Sequence, residues 1–303
     1  MTTRRRREFE LGGYLLQRKV LVDEFLEAYL AAEGTHPEVL HEAMRYSVFS
    51  GGKRFRPILC MAGYDACGGK GRSIMPVACG IELIHTYSLI HDDLPCMDDD
   101  DVRRGKPTSH KVFGEAVAVL AGDALLTFAV ELIVSEGLKV LEAERVVRVL
   151  DELMKSIGTD GMVAGQVVDM ESEGADADAM TVEYIHSRKT GALICGAARS
   201  GAIVAGAEEA LIERIGKYGE RIGLAFQIVD DVMDAEGRFG ELKSGSDLDS
   251  RKRKLTYPLV FGPEESRQKA RDLVCEAKDY VADLGDRAVP LMALADLVVS
   301  RSS

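Results

Sequence analysis

The chain has 303 residues, 46% of them hydrophobic, and 38 Lys plus Arg against 50 Asp plus Glu for a formal charge of -12. That length supports a substantial core without requiring a second domain, and the acidic balance argues against a nucleic-acid partner. Cys60, Cys67, Cys79, Cys96, Cys195 and Cys275 show no CxxC pairing, and four of them sit among apolar or small residues, which points to buried free thiols in a reducing cytoplasm.

Arg4 to Arg7 are followed by Glu8 and Glu10 rather than an apolar stretch. No secretory signal is therefore expected, and residues 1–10 are predicted to be a disordered basic terminus. Leu15, Val22, Leu26 and Tyr29 recur at helical steps, and Leu40, Met44 and Val48 do so after Pro37 opens the next helix. Ala116 to Val134 is the longest apolar segment, but Asp123 and Glu131 interrupt it, so stable membrane insertion is not expected. Leu211, Ile215, Tyr218, Ile222, Ala225 and Val229 alternate steps of four and three, a long helix with one buried stripe. Gly216, Gly219 and Gly223 on that helix permit a close neighbour. No alternating strands are evident, and loops are expected at Gly68 to Arg72, Asp98 to Thr108, Glu171 to Ala179 and Gly237 to Arg253. The expected fold is all-α, one domain over residues 1–303, a helical bundle around a central cavity.

Ile81 to Ser109 organises the rest. An apolar helical segment delivers Asp92, Asp93, Asp98, Asp99, Asp100 and Asp101, followed by Arg103, Arg104 and Lys106. An acidic run is ordinarily a solvated turn. Here Ile81, Leu83, Ile84, Tyr87, Leu89 and Ile90 place the first carboxylates at the end of a buried helix, where unneutralised charge is costly. Hard cations with oxygen ligands answer that cost, and Mg2+ fits best because it shares its shell with carboxylates, water and phosphate. Asp92 and Asp98 would lie roughly 120 degrees apart on an unbroken helix, but Pro95 breaks the helix and lets the chain fold back. A second cluster stands in Gly223 to Asp234, where Asp230, Asp231 and Asp234 follow Gln227 on a helix. Two such clusters, each ending an apolar helix, are hard to explain as solvation.

DDLPCMD from Asp92 and FQIVDDVMD ending at Asp234 resemble the two aspartate-rich motifs of the trans-prenyl diphosphate synthases. GGKRFRP (Gly51 to Pro57), GMVAGQVVDM (Gly161 to Met170), HSRKTGALI (His186 to Ile194) and KLTYP (Lys254 to Pro258) match further blocks of that family in the same order. The resemblance runs from about Leu40 to Gly262 and implies an isoprenoid-synthase helical fold. It also implies a short-chain prenyltransferase that condenses isopentenyl diphosphate with an allylic diphosphate, dimethylallyl or geranyl, with the help of several Mg2+ ions, Mn2+ being a substitute.

By that resemblance Asp92, Asp98 and Asp230 are the metal ligands, with Asp93, Asp231 and Asp234 behind them and Asp99 an alternative ligand. Arg103, Lys189 and Lys243 are similar to the family's basic residues that hold the leaving diphosphate. Lys53, Arg56, His85 and Arg104 resemble its pocket for the isopentenyl diphosphate, where arginine forks suit phosphate. The bland readings are a solvated basic loop for Lys53 and Arg56, and a hydrogen-bonded core histidine for His85. Thr190, Gln227 and Lys254 match further substrate contacts, and Gln166 and Asp169 line the cavity or join two helices. The spacing around Lys243, Asp247, Asp249 and Lys254 departs from the family pattern and leaves their roles open. The released diphosphate itself takes the final proton in such a scheme, so no side-chain base is required.

Tyr87 stands five residues before Asp92, about 7.5 Å along a helix, and with Ser88 would limit the growing chain. Family members with an aromatic at this position tend to make the fifteen-carbon product, so the resemblance implies farnesyl diphosphate, with geranylgeranyl diphosphate the alternative. Ordinary core packing is the bland reading of Tyr87, and both can hold. A terpene cyclase would share the fold but mixes Asn, Ser and Glu in its second metal site, and a noncatalytic subunit of a heteromeric synthase would be expected to lose aspartates. The family further implies a homodimer built on helix contacts.

Overall fold

The structure is a computed structural model that describes residues 9–32, 34–174, 178–241 and 255–300. In chain order the helices are α1 (Leu11–Tyr29), α2 (Glu38–Val48), α3 (Phe55–Ala66), α4 (Met75–Asp92), α5 (Ser109–Phe113), α6 (Glu115–Gly137) and α7 (Ala143–Ile157). They continue as α8 (Met162–Glu171), α9 (Ala179–Ile185), α10 (Ala192–Ala205), α11 (Glu209–Glu241), α12 (Tyr257–Phe261), α13 (Pro263–Val281) and α14 (Val289–Ser300). A π-helical turn, His186–Gly191, joins α9 to α10.

One contiguous apolar core runs through these helices from Val22 to Val298. α4 supplies its centre and is buried along nearly its whole length, as its almost uninterrupted apolar sequence requires. α6 packs against α4, and α10 lies between α3 and α11. The stripe expected on α11 is real: Ile215, Tyr218, Ile222 and Ala225 are fully buried, while Leu211 is half-buried. A Cβ on Gly223 would stand 2.7 Å from the Cα of Gly191, so this glycine lets α11 cross directly over the end of the π turn.

Three local expectations change. Asp98 to Thr108 is not all loop, because β1 (Val102–Arg103) and β2 (Lys106–Pro107) form a small antiparallel hairpin. Its turn residues Arg104 and Gly105 have φ of 53° and 75°, the mirror-image turn whose twist suits a two-residue hairpin. The loop expected from Gly237 begins instead as helix, since α11 continues to Glu241. Glu10, expected inside a disordered terminus, caps α1 by accepting from the amides of Gly12 and Gly13. Arg4 to Arg7, Lys243, Asp247, Asp249 and Lys254 lie outside the described residues.

α6 is also long and apolar enough to cross a membrane, the one such helix among the described residues. One side of it is buried against α4, and Val119 and Leu120 stand exposed on the rest.

All six cysteines are free: Cys60 and Cys79 are buried, Cys67 and Cys195 half-buried, and Cys96 and Cys275 exposed.

Candidate active site

α4 ends at Asp92, and the Pro95 turn brings the chain back so that the Asp98 amide donates to the Asp92 carbonyl at 2.9 Å. The six-residue spacing thus closes into a local loop at the helix end. Burial pushes the Asp92 carboxyl up to about 6, Lys189 pulls against this, and Asp98 adds to it. Asp93, 4% exposed, is likewise pushed up to about 6 by burial, although Arg103 Nε donates to it at 2.5 Å. Arg103 is also 3.3 Å from Asp100, so its guanidinium is already engaged by two carboxylates. With Thr86 and Thr108, Asp93 and Arg103 line a small cavity of about 30 Å3.

A second group of residues forms around the π turn. Its wider coil presents Lys189 and Thr190 in succession, an irregularity common where helices carry function. Lys189 Nζ donates to Asp169 of α8 at 2.5 Å, and it is also the largest positive influence on Asp92. Thr190 Oγ1 donates to Gln227 Oε1 at 2.7 Å, and Gln227 Nε2 donates to Asp231 Oδ1 at 3.1 Å. The other Asp231 oxygen accepts from the Tyr257 amide at 2.8 Å and stands 3.0 Å from His186 Nε2. Asp169, Lys189, Thr190, Gln227, Asp231 and Asp234 line one cleft of about 150 Å3. Gln166, one turn before Asp169 and 9% exposed, has neither amide atom hydrogen-bonded.

The third group is cationic. Arg54 is 3% exposed and wholly occupied: it donates to Asp23 at 2.8 Å, Glu82 at 2.7 Å and the Val48 carbonyl at 2.7 Å. Arg56 stands next to it and donates to His85 Nε2 at 3.3 Å. Burial lowers the Arg56 guanidinium to about 10, against the opposing pull of Glu82 and Asp230. His85 is held well below its ordinary value by burial, with Arg56 and Arg104 adding to the effect. Neutral His85 can therefore accept at Nε2, which suits Arg56 as donor. Arg104 reaches back from the hairpin to donate to the Gly51 carbonyl. Lys53 is exposed.

Tyr87 is 7% exposed, and its ring meets His91 edge to face at 5.8 Å. Ser88 Oγ donates to the His85 carbonyl at 2.9 Å.

These groups leave the first motif rich in carboxylate oxygen and short of positive charge, a donor set that fits a hard divalent cation. The tightest set of possible ligands among the described residues is a different one, Asp99, Asp101 and His110, and Lys111 already ion-pairs with Asp101 at 2.7 Å. Glu82, His186 and Gly52 are the residues that sequence reasoning passed over. Glu82 carried a signal, being the one charged residue within the apolar run from Met75 to Ile84. His186 carried one too, since it opens the HSRKTGALI block, although nothing there gave it a role.

Residues 37–287 match the Polyprenyl synthetase family. The chain is 48% identical over 300 residues to the Heterodimeric geranylgeranyl pyrophosphate synthase large subunit 1, chloroplastic, of Arabidopsis thaliana, covering 97% of this chain and 80% of that one. It is 45% identical to a Dimethylallyltranstransferase of Fischerella ambigua, covering 97% and 84%. The name geranylgeranyl synthase recurs among further relatives at 44–48% identity. Among solved structures, an FPP/GFPP synthase from Zymomonas mobilis superposes with a TM-score of 0.85 at 36% identity, over 95% of this chain and 98% of that one.

Proposed function

The chain belongs to the polyprenyl synthetase family of trans-prenyltransferases, and on that premise we propose that it joins isopentenyl diphosphate to an allylic diphosphate to make geranylgeranyl diphosphate. The observation that carries this reading is the place of Lys189, hydrogen-bonded to Asp169 and acting electrostatically on Asp92. One ammonium thus acts on carboxylates from two separate parts of the chain, where an anionic diphosphate and its counter-cations would be held.

Asp92, Asp98 and Asp230 would hold Mg2+, with Mn2+ as substitute. Bound there, the metal supplies Lewis-acid neutralisation of the charge that develops on the departing diphosphate. Lys189 Nζ and, on release from its carboxylates, Arg103 would donate to the diphosphate oxygens. Arg56, Arg104 and neutral His85 would hold the isopentenyl diphosphate, with exposed Lys53 at the rim. Every nitrogen of buried Arg54 already has a partner in Asp23, Glu82 or the Val48 carbonyl, so Arg54 serves the fold of that pocket rather than the ligand. Thr190 and Gln227 line the cleft beside Lys189 and Asp231 and would order the reacting chains. Asp231 has both oxygens engaged by protein donors, which suits support rather than ligation. Lys243 and Lys254 keep their proposed diphosphate contacts on sequence grounds alone.

The expectation of farnesyl diphosphate from Tyr87 gives way to the twenty-carbon alternative, because the relatives at 44–48% identity are mostly named geranylgeranyl synthases. The homodimer of the sequence reading is supported by the exposed apolar residues of α6, and the subunit name of one relative makes a heteromer the other possibility. The free thiols fit a reducing compartment, the cytoplasm in the sequence reading, and several relatives are named chloroplastic. Incubation with isopentenyl diphosphate, an allylic primer and Mg2+, followed by sizing of the product, tests the proposal.

A further inference from the structure

His186 is 3% exposed and opens the π turn that carries Lys189 and Thr190. Its Nε2 stands 3.0 Å from Asp231 Oδ2, and its ring stacks on Tyr257 with centroids 5.9 Å apart. A carboxylate only accepts, so the shared proton belongs on Nε2. Nδ1 is buried and has no hydrogen-bond partner, so the imidazole is held by Asp231 and by its stack. Asp231 in turn accepts from Gln227, whose carbonyl accepts from Thr190, and from the backbone of Tyr257, the first residue of α12. Three donors, from His186, Gln227 and the Tyr257 backbone, therefore meet at one carboxylate, and Gln227 and Thr190 line the cleft beside it together with His186 and Asp231.

We infer that His186 is a positioning residue: by holding Asp231 it orients Gln227 and Thr190 toward the cleft and ties Tyr257 to the same point. The inference rests on the synthase reading. The physical requirement is that reacting carbons be held in register, and a misplacement on the order of 1 Å can lower turnover by roughly 100-fold. A carboxylate that loses one of its donors rotates to satisfy itself elsewhere, and Gln227 follows because its amide is fixed at both ends.

The test is a double-mutant cycle. His186→Leu and Thr190→Ala are made singly and together, with His186→Gln as the conservative variant whose amide can still donate to Asp231. Turnover, both substrate KM values, the Mg2+ concentration for half-activation and the melting temperature are measured. His186→Leu is expected to lower kcat by about 10-fold or more with the KM for isopentenyl diphosphate and the Mg2+ requirement unchanged. His186→Gln is expected to recover most of that loss, and His186→Leu to add little once Thr190 is alanine. A wild-type kcat in His186→Leu overturns the inference, as do losses that multiply independently or a shift confined to the Mg2+ requirement. If His186→Leu does not fold, the same cycle with His186→Asn, too short to reach Asp231, decides by the same outcomes. The unmutated chain separates the two readings: if it makes no prenyl product, the synthase reading fails first.

Discussion

The rings of Phe55 and Phe226 lie 5.4 Å apart. Phe55 starts α3 between Arg54 and Arg56, and Phe226 precedes Gln227 in the middle of α11. This one contact therefore brings the basic GGKRFRP segment against the second aspartate motif, although the two are far apart in the chain. It also explains why Asp230 bears on the protonation of Arg56.

The carboxyls at the first motif predict a pH dependence. Asp92 and Asp93 are both raised from the ordinary 3.8 to about 6, chiefly by burial. Between those values the folded protein keeps protons that the unfolded chain has released, so metal-free stability falls as pH rises through the window. Mg2+ needs the ionised carboxylates, so its binding strengthens as the pH rises through the same range. Thermal unfolding should show a larger gain in melting temperature on adding Mg2+ at a pH of about 7.5 than at about 5. An equal gain at both would place the cation elsewhere.

Arg54 and Glu82 form a buried ion pair at 2.7 Å, and the second oxygen of Glu82 has no hydrogen-bond partner. Removing one member strands the other, so Arg54→Met should lower stability by about 3–5 kcal/mol in urea unfolding. The double variant Arg54→Met, Glu82→Leu should recover part of that loss.

Gly52 has φ of 122°, and a Cβ there would stand 2.5 Å from the Arg104 guanidinium. Gly52→Ala should push Arg104 away from its contact with Gly51 and raise the KM for isopentenyl diphosphate by roughly 10-fold, the cost of one charge-assisted contact. The KM for the allylic substrate should change much less, which steady-state kinetics with each substrate varied in turn would resolve.

Tyr87, 7% exposed and five residues before Asp92, stands where a growing chain would reach, so its truncation opens space below Asp92. Tyr87→Ala should shift products beyond twenty carbons, read by chromatography of the dephosphorylated prenols. An unchanged distribution would show that Tyr87 does not bound the growing chain.

The extent of this that the chain spells out locally differs by element. The helix of Leu211 to Val229 was legible because its apolar residues recur at helical steps, and the folding back of Asp98 followed from the position of Pro95. The hairpin at Val102–Pro107 was not legible: its strands are two residues long, and its turn depends on Arg104 adopting a left-handed backbone that sequence rarely signals. The basic residues of GGKRFRP looked interchangeable, and only the fold separates Arg54, spent on Asp23 and Glu82, from Arg56 and Arg104. Likewise Asp230 and Asp231 are neighbours in sequence yet differ in kind, because helical geometry turns Asp231 toward His186 and Tyr257.

The central claim is that two banks of carboxylates and the cations between them remove diphosphate from an allylic chain. The most direct measurement is product formation from isopentenyl diphosphate and radiolabelled farnesyl diphosphate, with Mg2+ and with a chelator, for the unmutated chain and for Asp92→Ala and Asp230→Ala. The account predicts a labelled twenty-carbon diphosphate that disappears on chelation and falls by on the order of 100-fold or more in each variant. Full turnover in chelator, or in either variant, would contradict it.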